Sequence, residues 1–304
     1  MGNYEKNKSK NGLKMLPAEN LDNKIKKFWP KNGPSIQEVE KYVKKYSKEK
    51  IVIKCGGKVL LDPYLLNSLI DDVIILKKLG LTPIVVHGGG LGIKKKLEEK
   101  NIESKFIMGL RVTDEKMIKI VESVMNNFNK EIVKIFEKKS CKAEAVTIKK
   151  NNIIYVEKED EKLGYVGRPA RIDVKLLKEI IKKDFVPIVT PMGIDQKGES
   201  YNINADTAAG ALARSIKSRR LILLTDVEGV LDNNDKLISE INTMEANALI
   251  KNEIIHGGMI PKMKTCIDAI NNGVRAVVII DGRKPHSILF ELFSDQGAGT
   301  LIRK

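Results

Sequence analysis

Cysteine is scarce in this 304-residue chain: three residues, Cys55, Cys141 and Cys266, set far apart with no CxxC pair. That spacing argues against a disulfide framework and a zinc site, and it suits a reducing compartment, the cytoplasm. Histidine is as rare, and His87, His256 and His286 have no metal-ligand spacing among them. No apolar run approaches the ~20 residues of a membrane span. The Lys- and Asn-rich N-terminus has no apolar stretch of the kind a secretory signal needs. Aromatic residues are only 5%, and lysine outnumbers arginine about five to one. Nucleic-acid surfaces combine a basic stripe with arginine and aromatic side chains. The net charge of +15 is spread along the whole chain instead, which favours an anionic small substrate over nucleic acid.

What is present is a hydrophobic fraction of 42% and a length sufficient for one large or two medium domains. Residues 1–34 are polar, carry Pro17, Pro30 and Pro34, and read as loosely ordered or weakly helical. Ser35 then offers an N-cap with Glu38 three residues on, and Ile36, Val39, Val43 and Tyr46 fall at helical spacing. Beyond it, strand patterns at 50–54, 83–86, 186–190, 221–225 and 276–280 alternate with helical patterns. The helices fall at 64–79, 93–100, 114–137, 176–182, 207–215, 244–250, 263–271 and 286–293. Around 143–167 the period is nearer two and predicts hairpin strands. The alternation predicts an α/β fold: an open, mostly parallel sheet sandwiched by helices, with an N-terminal helical extension. The expected divisions are 1–49 for the extension, 50–195 for a first lobe and 196–304 for a second.

Ligands of such sheets lie beyond the carboxyl ends of the strands. There the chain places Lys54 before Gly56-Gly57, His87 before Gly88-Gly89-Gly90, and Asp226 and Asp281-Gly282 after later strands. Glycines let a ligand approach bare N–H groups, and a following helix N-terminus adds partial positive charge, so these turns suit phosphate. A second glycine turn, His256-Gly257-Gly258, leads to Lys262. Asn202, Asn204 and Asp206 alternate before a small-residue helix, more polar groups than one cap needs. Each feature alone has a plain reading: a tight turn, a solvated lysine, a helix cap. The GxxxxGK[ST] spacing of a P-loop is absent. Two glycine turns and two lysines together suit phosphoryl transfer, which needs positioning and charge neutralisation more than covalent chemistry.

Taken in order, the segments IVIKCGGKVL, VVHGGG, ESKFIMGLRVTD, GYVG, YNINADTAAGALA, LILLTDVEGVLD, HGGMIPKM, CIDAINNGV and HSILFELFSDQGAGTLI resemble the amino acid kinases, over roughly residues 36 to 304. The likeness is closest to the branch that phosphorylates N-acetyl-L-glutamate in arginine biosynthesis. It implies a first lobe for the amino-acid substrate and a second for ATP, with Mg2+ bridging the ATP phosphates. Carried over, Lys54 and Lys262 flank the transferred phosphoryl group and Asp206 orients them. Gly57, Gly88 and Gly89 supply N–H donors, and Arg111 and Asn202 hold the substrate. Thr225, Asp226 and Gly258 lie near the nucleotide. The likeness extends to members inhibited by L-arginine, in which an N-terminal helix interlaces dimers into a hexamer. Tyr42, His286, Glu291 and Gly297 match that allosteric site, and a homo-oligomer, dimer or hexamer, is expected. Leu91-Gly92 stands where the family usually has Pro-Gln, Lys58 where a small or amide residue is common, and 138–167 is short. Three alternatives stay open: a kinase for an aminoadipate-type acylamino acid, a non-catalytic arginine-sensing subunit, and a basic nucleic-acid-binding module.

Overall fold

The computed structural model describes residues 25–304; the expectation for residues 1–24 lies outside them. Helix α1, Ile36–Tyr46, begins where Ser35 Oγ accepts the Glu38 N–H and its hydroxyl donates to the Glu38 carboxylate. It buries Val39 and Tyr46 against its own chain. The rings of Tyr46 and Trp29 both meet Phe293 edge-on, at centroid distances of 6.2 and 6.1 Å.

The strands β1 (Lys50–Cys55), β2 (Thr82–His87), β8 (Val186–Val189), β11 (Arg220–Thr225) and β13 (Val277–Asp281) are nearly continuous apolar runs. Such runs belong to parallel strands covered on both faces. They form the middle of an eight-stranded sheet ordered β12-β14-β13-β11-β1-β2-β8-β5, with β5 at Ala143–Val146, β12 at Glu240–Asn242 and β14 at Gly299–Arg303. Only β14 against β13 is antiparallel. Alternate residues feed opposite faces. Ile51, Ile53 and Cys55 join one core with α1, α2 (Pro63–Lys78), part of α4 (Glu115–Lys138) and α9 (Ser287–Phe293). Val52, Leu221 and Leu223 join the other with α5 (Val174–Lys182), α6 (Ala205–Ser215), α7 (Thr243–Lys251) and α8 (Met259–Asn271).

The segment 143–167 is not one hairpin. Ala143–Val146 pairs parallel with β8 in the main sheet, and the antiparallel pair is β6 (Ile154–Lys158) with β7 (Gly167–Ile172). Those two join β9 (Met192–Ile194) and β10 (Ser200–Asn202) in a second sheet. A period of two marks a strand but not its partner. Several helices also start earlier than their apolar periodicity, among them α3 (Gly90–Glu98), α6 and α8. The first turns of α3 and α6 carry glycine or polar residues that read as loop, and that of α8 carries Pro261, which reads as a boundary, so Asp206 and Lys262 lie inside first turns rather than before helices. The two-stranded hairpin β3 (Phe106–Ile107) and β4 (Leu110–Arg111), with β9, β10, β12 and β14, lie outside the strand patterns of the sequence; all but β14 are only two or three residues long.

Candidate active site

Cys55 stands in register with His87 across β1 and β2, so the two glycine turns leave the sheet side by side. They touch: a Cβ added at Gly88 would lie 3.4 Å from Gly56 Cα, and one at Gly56 would lie 3.2 Å from Lys54 Nζ. Gly57 adopts φ +58°, the left-handed region that glycine enters without strain. The result is a shallow floor with Lys54 standing on it.

Two cavities adjoin at this floor. The first, about 260 Å³, is lined by Lys54, Gly57, Gly88, Gly89, Arg111, Asn202 and Asp206, among others. The second, about 430 Å³, is lined by Lys54, Gly57, Lys58, Thr225, Asp226, Gly258, Lys262 and Arg283, among others. At the seam Asp206 receives both lysines: Lys54 Nζ lies 2.9 Å from Oδ1 and Lys262 Nζ 2.5 Å from Oδ2. The Lys262 contact is a directed hydrogen bond, whereas Lys54 meets Oδ1 off-axis and holds it by charge. Burial would push the Asp206 carboxyl up, but Lys54 and then Lys262 outweigh it and hold it at about 2. The group is therefore a fixed anion that keeps two cations at one place. It does not cap its helix. Asn204 does, accepting the Asp206 and Thr207 N–H groups at 2.9 and 3.1 Å.

Arg111 enters the first cavity from β4. Its guanidinium donates to Ser104 Oγ and to the Gly90 carbonyl, and stacks 4.7 Å from the Phe106 centroid. Burial alone lowers its pKa, with no neighbouring carboxylate opposing among the described residues, so a bound carboxylate would find a preset fork. The N-termini of α3 and α8, at Gly89 and Gly258, reach the first and second cavity respectively. Gly257, at φ +56°, makes the turn into α8. The second cavity thus combines Lys54, Lys58, Lys262 and Arg283 with one carboxylate, Asp226. Arg283 is held by Asp281 through Nε and Nη2, at 2.9 and 2.8 Å. Among the described residues no three His, Cys, Asp or Glu side chains gather as a cation cage. The donor set suits a polyphosphate that brings its own cation.

The structure thus gathers Lys54, Lys262, Asp206, Gly57, Gly88, Gly89, Arg111, Asn202, Thr225, Asp226 and Gly258 around one seam. Sequence reading did not single out Ser104, Phe106 or Arg283 as site residues. Arg283 had a signal, its place two residues after a strand end. The residues of the expected arginine site are divided. Glu291 accepts the Ala298 N–H at 3.1 Å and sits beside the Gly297 turn, and Tyr42 donates to Asp295. His286 is turned to α2, where Nδ1 meets Asp72 Oδ1 at 2.6 Å.

A family model described as the amino acid kinase family matches residues 49–281. The chain belongs to the amino acid kinase family. Among curated members, an acetylglutamate kinase of Pelagibacter ubique is 58% identical over 275 residues, 90% of this chain and 96% of that protein. One from Bartonella henselae is 42% identical over 298 residues, 93% of this chain and 99% of that one. A solved N-acetylglutamate synthase from Neisseria gonorrhoeae superposes with a TM-score of 0.80 at 22% identity. It covers 89% of this chain, which spans only 64% of that longer protein, and it bears on the fold alone. The amino acid kinase match begins after α1 and ends at Asp281, so α1, α9 and β14 lie outside it.

Proposed function

We propose that the chain is an acetylglutamate kinase, transferring the γ-phosphoryl group of ATP to the side-chain carboxylate of N-acetyl-L-glutamate. The observation that carries this is the seam: two adjoining cavities meet where one buried carboxylate holds two ammoniums. In the first cavity Arg111 takes the α-carboxylate and Asn202 helps hold the substrate. The side-chain carboxylate then faces the floor formed by Gly57, Gly88 and Gly89. In the second, Thr225, Asp226 and Gly258 lie along the nucleotide. A carboxylate oxygen attacks the γ-phosphorus, the bond to the β-phosphate oxygen breaks, and ADP leaves with that electron pair. The attacking group is already ionised at neutral pH, so no general base is needed. Lys54 and Lys262 meet the charge that spreads over the moving group, and Asp206 keeps them from drifting. Mg2+ arriving with ATP would supply further neutralisation, with Asp226 as the carboxylate available to it in the second cavity.

The lobes follow: 50–195 holds the amino acid and 196–304 the nucleotide. Three buried free cysteines suit the cytoplasm, where this step of arginine biosynthesis would run. A regulatory reading accompanies it. Burial pushes the Glu291 carboxyl up, with the Ala298 N–H and Arg220 opposing. A guanidinium entering there would pair with it, so L-arginine as feedback inhibitor and a hexamer built through α1 are part of the proposal. A coupled ADP-release assay against N-acetyl-L-glutamate, N-acetyl-aspartate and N-acetyl-aminoadipate tests the substrate. The expected result is turnover with N-acetyl-L-glutamate far above the others and a product trapped by hydroxylamine. Preference for the aminoadipate derivative, or no turnover at all, would overturn it.

A further inference from the structure

Beneath the first cavity lie two polar side chains that the reaction above does not use, His87 at the end of β2 and Asn129 on α4. Both are 0% exposed. Asn129 Nδ2 donates to the Ile188 carbonyl at 2.7 Å and lies 3.3 Å from His87 Nε2. An amide nitrogen only donates, so Nε2 is the bare, accepting nitrogen of the ring. The proton of the neutral imidazole is therefore on Nδ1, which donates to the Gly88 carbonyl at 2.9 Å. Burial holds the ring neutral, its pKa pushed down to about 4 with the Gly88 bond opposing. In a trans peptide the C=O and N–H point opposite ways. Tying the Gly88 carbonyl to the ring turns the N–H of the same peptide, that of Gly89, away from the ring. Among the described residues that N–H meets no backbone acceptor, and Gly88 and Gly89 both line the first cavity.

We propose that His87, set in its tautomer by Asn129, is a positioning residue that fixes the Gly88–Gly89 peptide so that the Gly89 N–H is presented to the anion in the first cavity. This deepens the phosphoryl-transfer reading and rests on it. A histidine that merely fills space would affect stability alone.

The tautomer is read without any turnover, from long-range nitrogen–proton correlations of the full chain labelled at its three histidines. His87→Asn assigns the ring by loss of its signals. The expected ring is protonated at Nδ1 only and does not titrate between about pH 8 and about pH 5. A ring protonated at Nε2, or one titrating near its ordinary 6.5, overturns the proposal. The kinetic arm compares two substitutions. His87→Asn keeps an N–H donor at the place of Nδ1 and should hold kcat within about threefold of wild type, whereas His87→Leu, without a donor, should lower it about tenfold or more. The loss should come although Leu melts no lower than Asn. Loss of activity in step with melting temperature, or wild-type kcat in His87→Leu, overturns the proposal. Asn129→Asp supplies a second route: a carboxylate facing Nε2 draws a proton there, so it should move the ring signals and make the ring titrate at higher pH. If neither follows, Asn129 does not set the tautomer and the proposal falls. Absence of ADP release by the wild type with every N-acyl acceptor would instead sink the kinase reading, while the ring signals would still report on the tautomer.

Discussion

Each ammonium at the seam already has a carboxylate partner, and that pairing decides what a substitution there does. Lys54→Ala or Lys262→Ala removes one cation from the moving phosphoryl group and should lower kcat by about 10² or more. Wild-type turnover in both variants, measured by ADP release, would take these lysines out of the mechanism. Asp206→Asn is a different experiment, because Asn204 and not Asp206 caps the helix. Asparagine at 206 leaves the cap intact but releases the two lysines, so kcat should fall without loss of the fold. The stability cost has a pH signature. The Asp206 carboxyl sits at about 2 in the folded chain against an ordinary 3.8. A depressed acid stabilises fully above its unfolded value and loses that contribution as pH falls through the folded one. The gap in melting temperature between wild type and Asp206→Asn should therefore be full above about pH 4 and shrink towards about pH 2. A gap that is constant across that window would mean the ion pairs contribute nothing to folding.

At the scale of elements, the site depends on how closely α6 approaches α8. Asp206 and Gly210, four residues apart on α6, share a face, as do Lys262 and Thr265, three apart on α8. A Cβ added at Gly210 would lie 2.7 Å from Thr265 Cγ2, closer than side chains pack. Gly210→Ala should push the helices apart where one carries the carboxylate and the other its lysine. The expected result is about 1–3 kcal/mol of destabilisation, partly offset by helix propensity, with a fall in kcat at unchanged chemistry. Denaturant melts and kcat on the same variant decide it. A stabilised, fully active Gly210→Ala would show that the helices can spread without cost to the seam. The same reasoning explains Gly92, where a Cβ would meet Phe128 Cε2 at 2.4 Å. There α3 and α4 touch through a glycine, and a side chain at 92 would have to displace Phe128.

The whole molecule raises the question of assembly and control. Helix α1 packs on its own chain through Val39 and Tyr46, so removing it would strip the core around Phe293 and confuse a regulatory test with an unfolding one. Glu291→Gln is the cleaner probe, since Glu291 lies outside both cavities. If L-arginine inhibits through this carboxylate, the variant should keep its kcat and lose arginine sensitivity by about tenfold or more. Arginine can inhibit only by binding a less active state better. Because burial raises the Glu291 carboxyl, inhibition should also weaken as pH falls and the group protonates. Light scattering reports the oligomer on the same samples. A dimer whose activity ignores arginine would remove the regulatory reading and leave the kinase proposal standing.

Much of this was legible in the residues themselves. Parallel strands buried on both faces read as apolar runs, and glycine after such a run marks a turn at the ligand edge, so β1, β2, β11 and β13 and both glycine turns follow from local pattern. Lys54 and Lys262 could be singled out the same way, and motif order carried the family. Local pattern could not decide strand partners: nothing in Ala143–Val146 says that it joins β8 rather than β6. Nor could it place helix starts made of small and polar residues or carrying a proline such as Pro261, which is why Asp206 and Lys262 fell on the wrong side of their helix boundaries. The contacts that build the site and its floor join residues far apart in the chain: Lys54 with Asp206, Asp206 with Lys262, His87 with Asn129. A side chain's partner depends on how sheet and helices pack, and packing is a property of the whole chain. The sequence by itself determined the alternation, the glycine turns and the inventory of charges. Only the tertiary structure decided that one buried carboxylate would hold two lysines where two cavities meet.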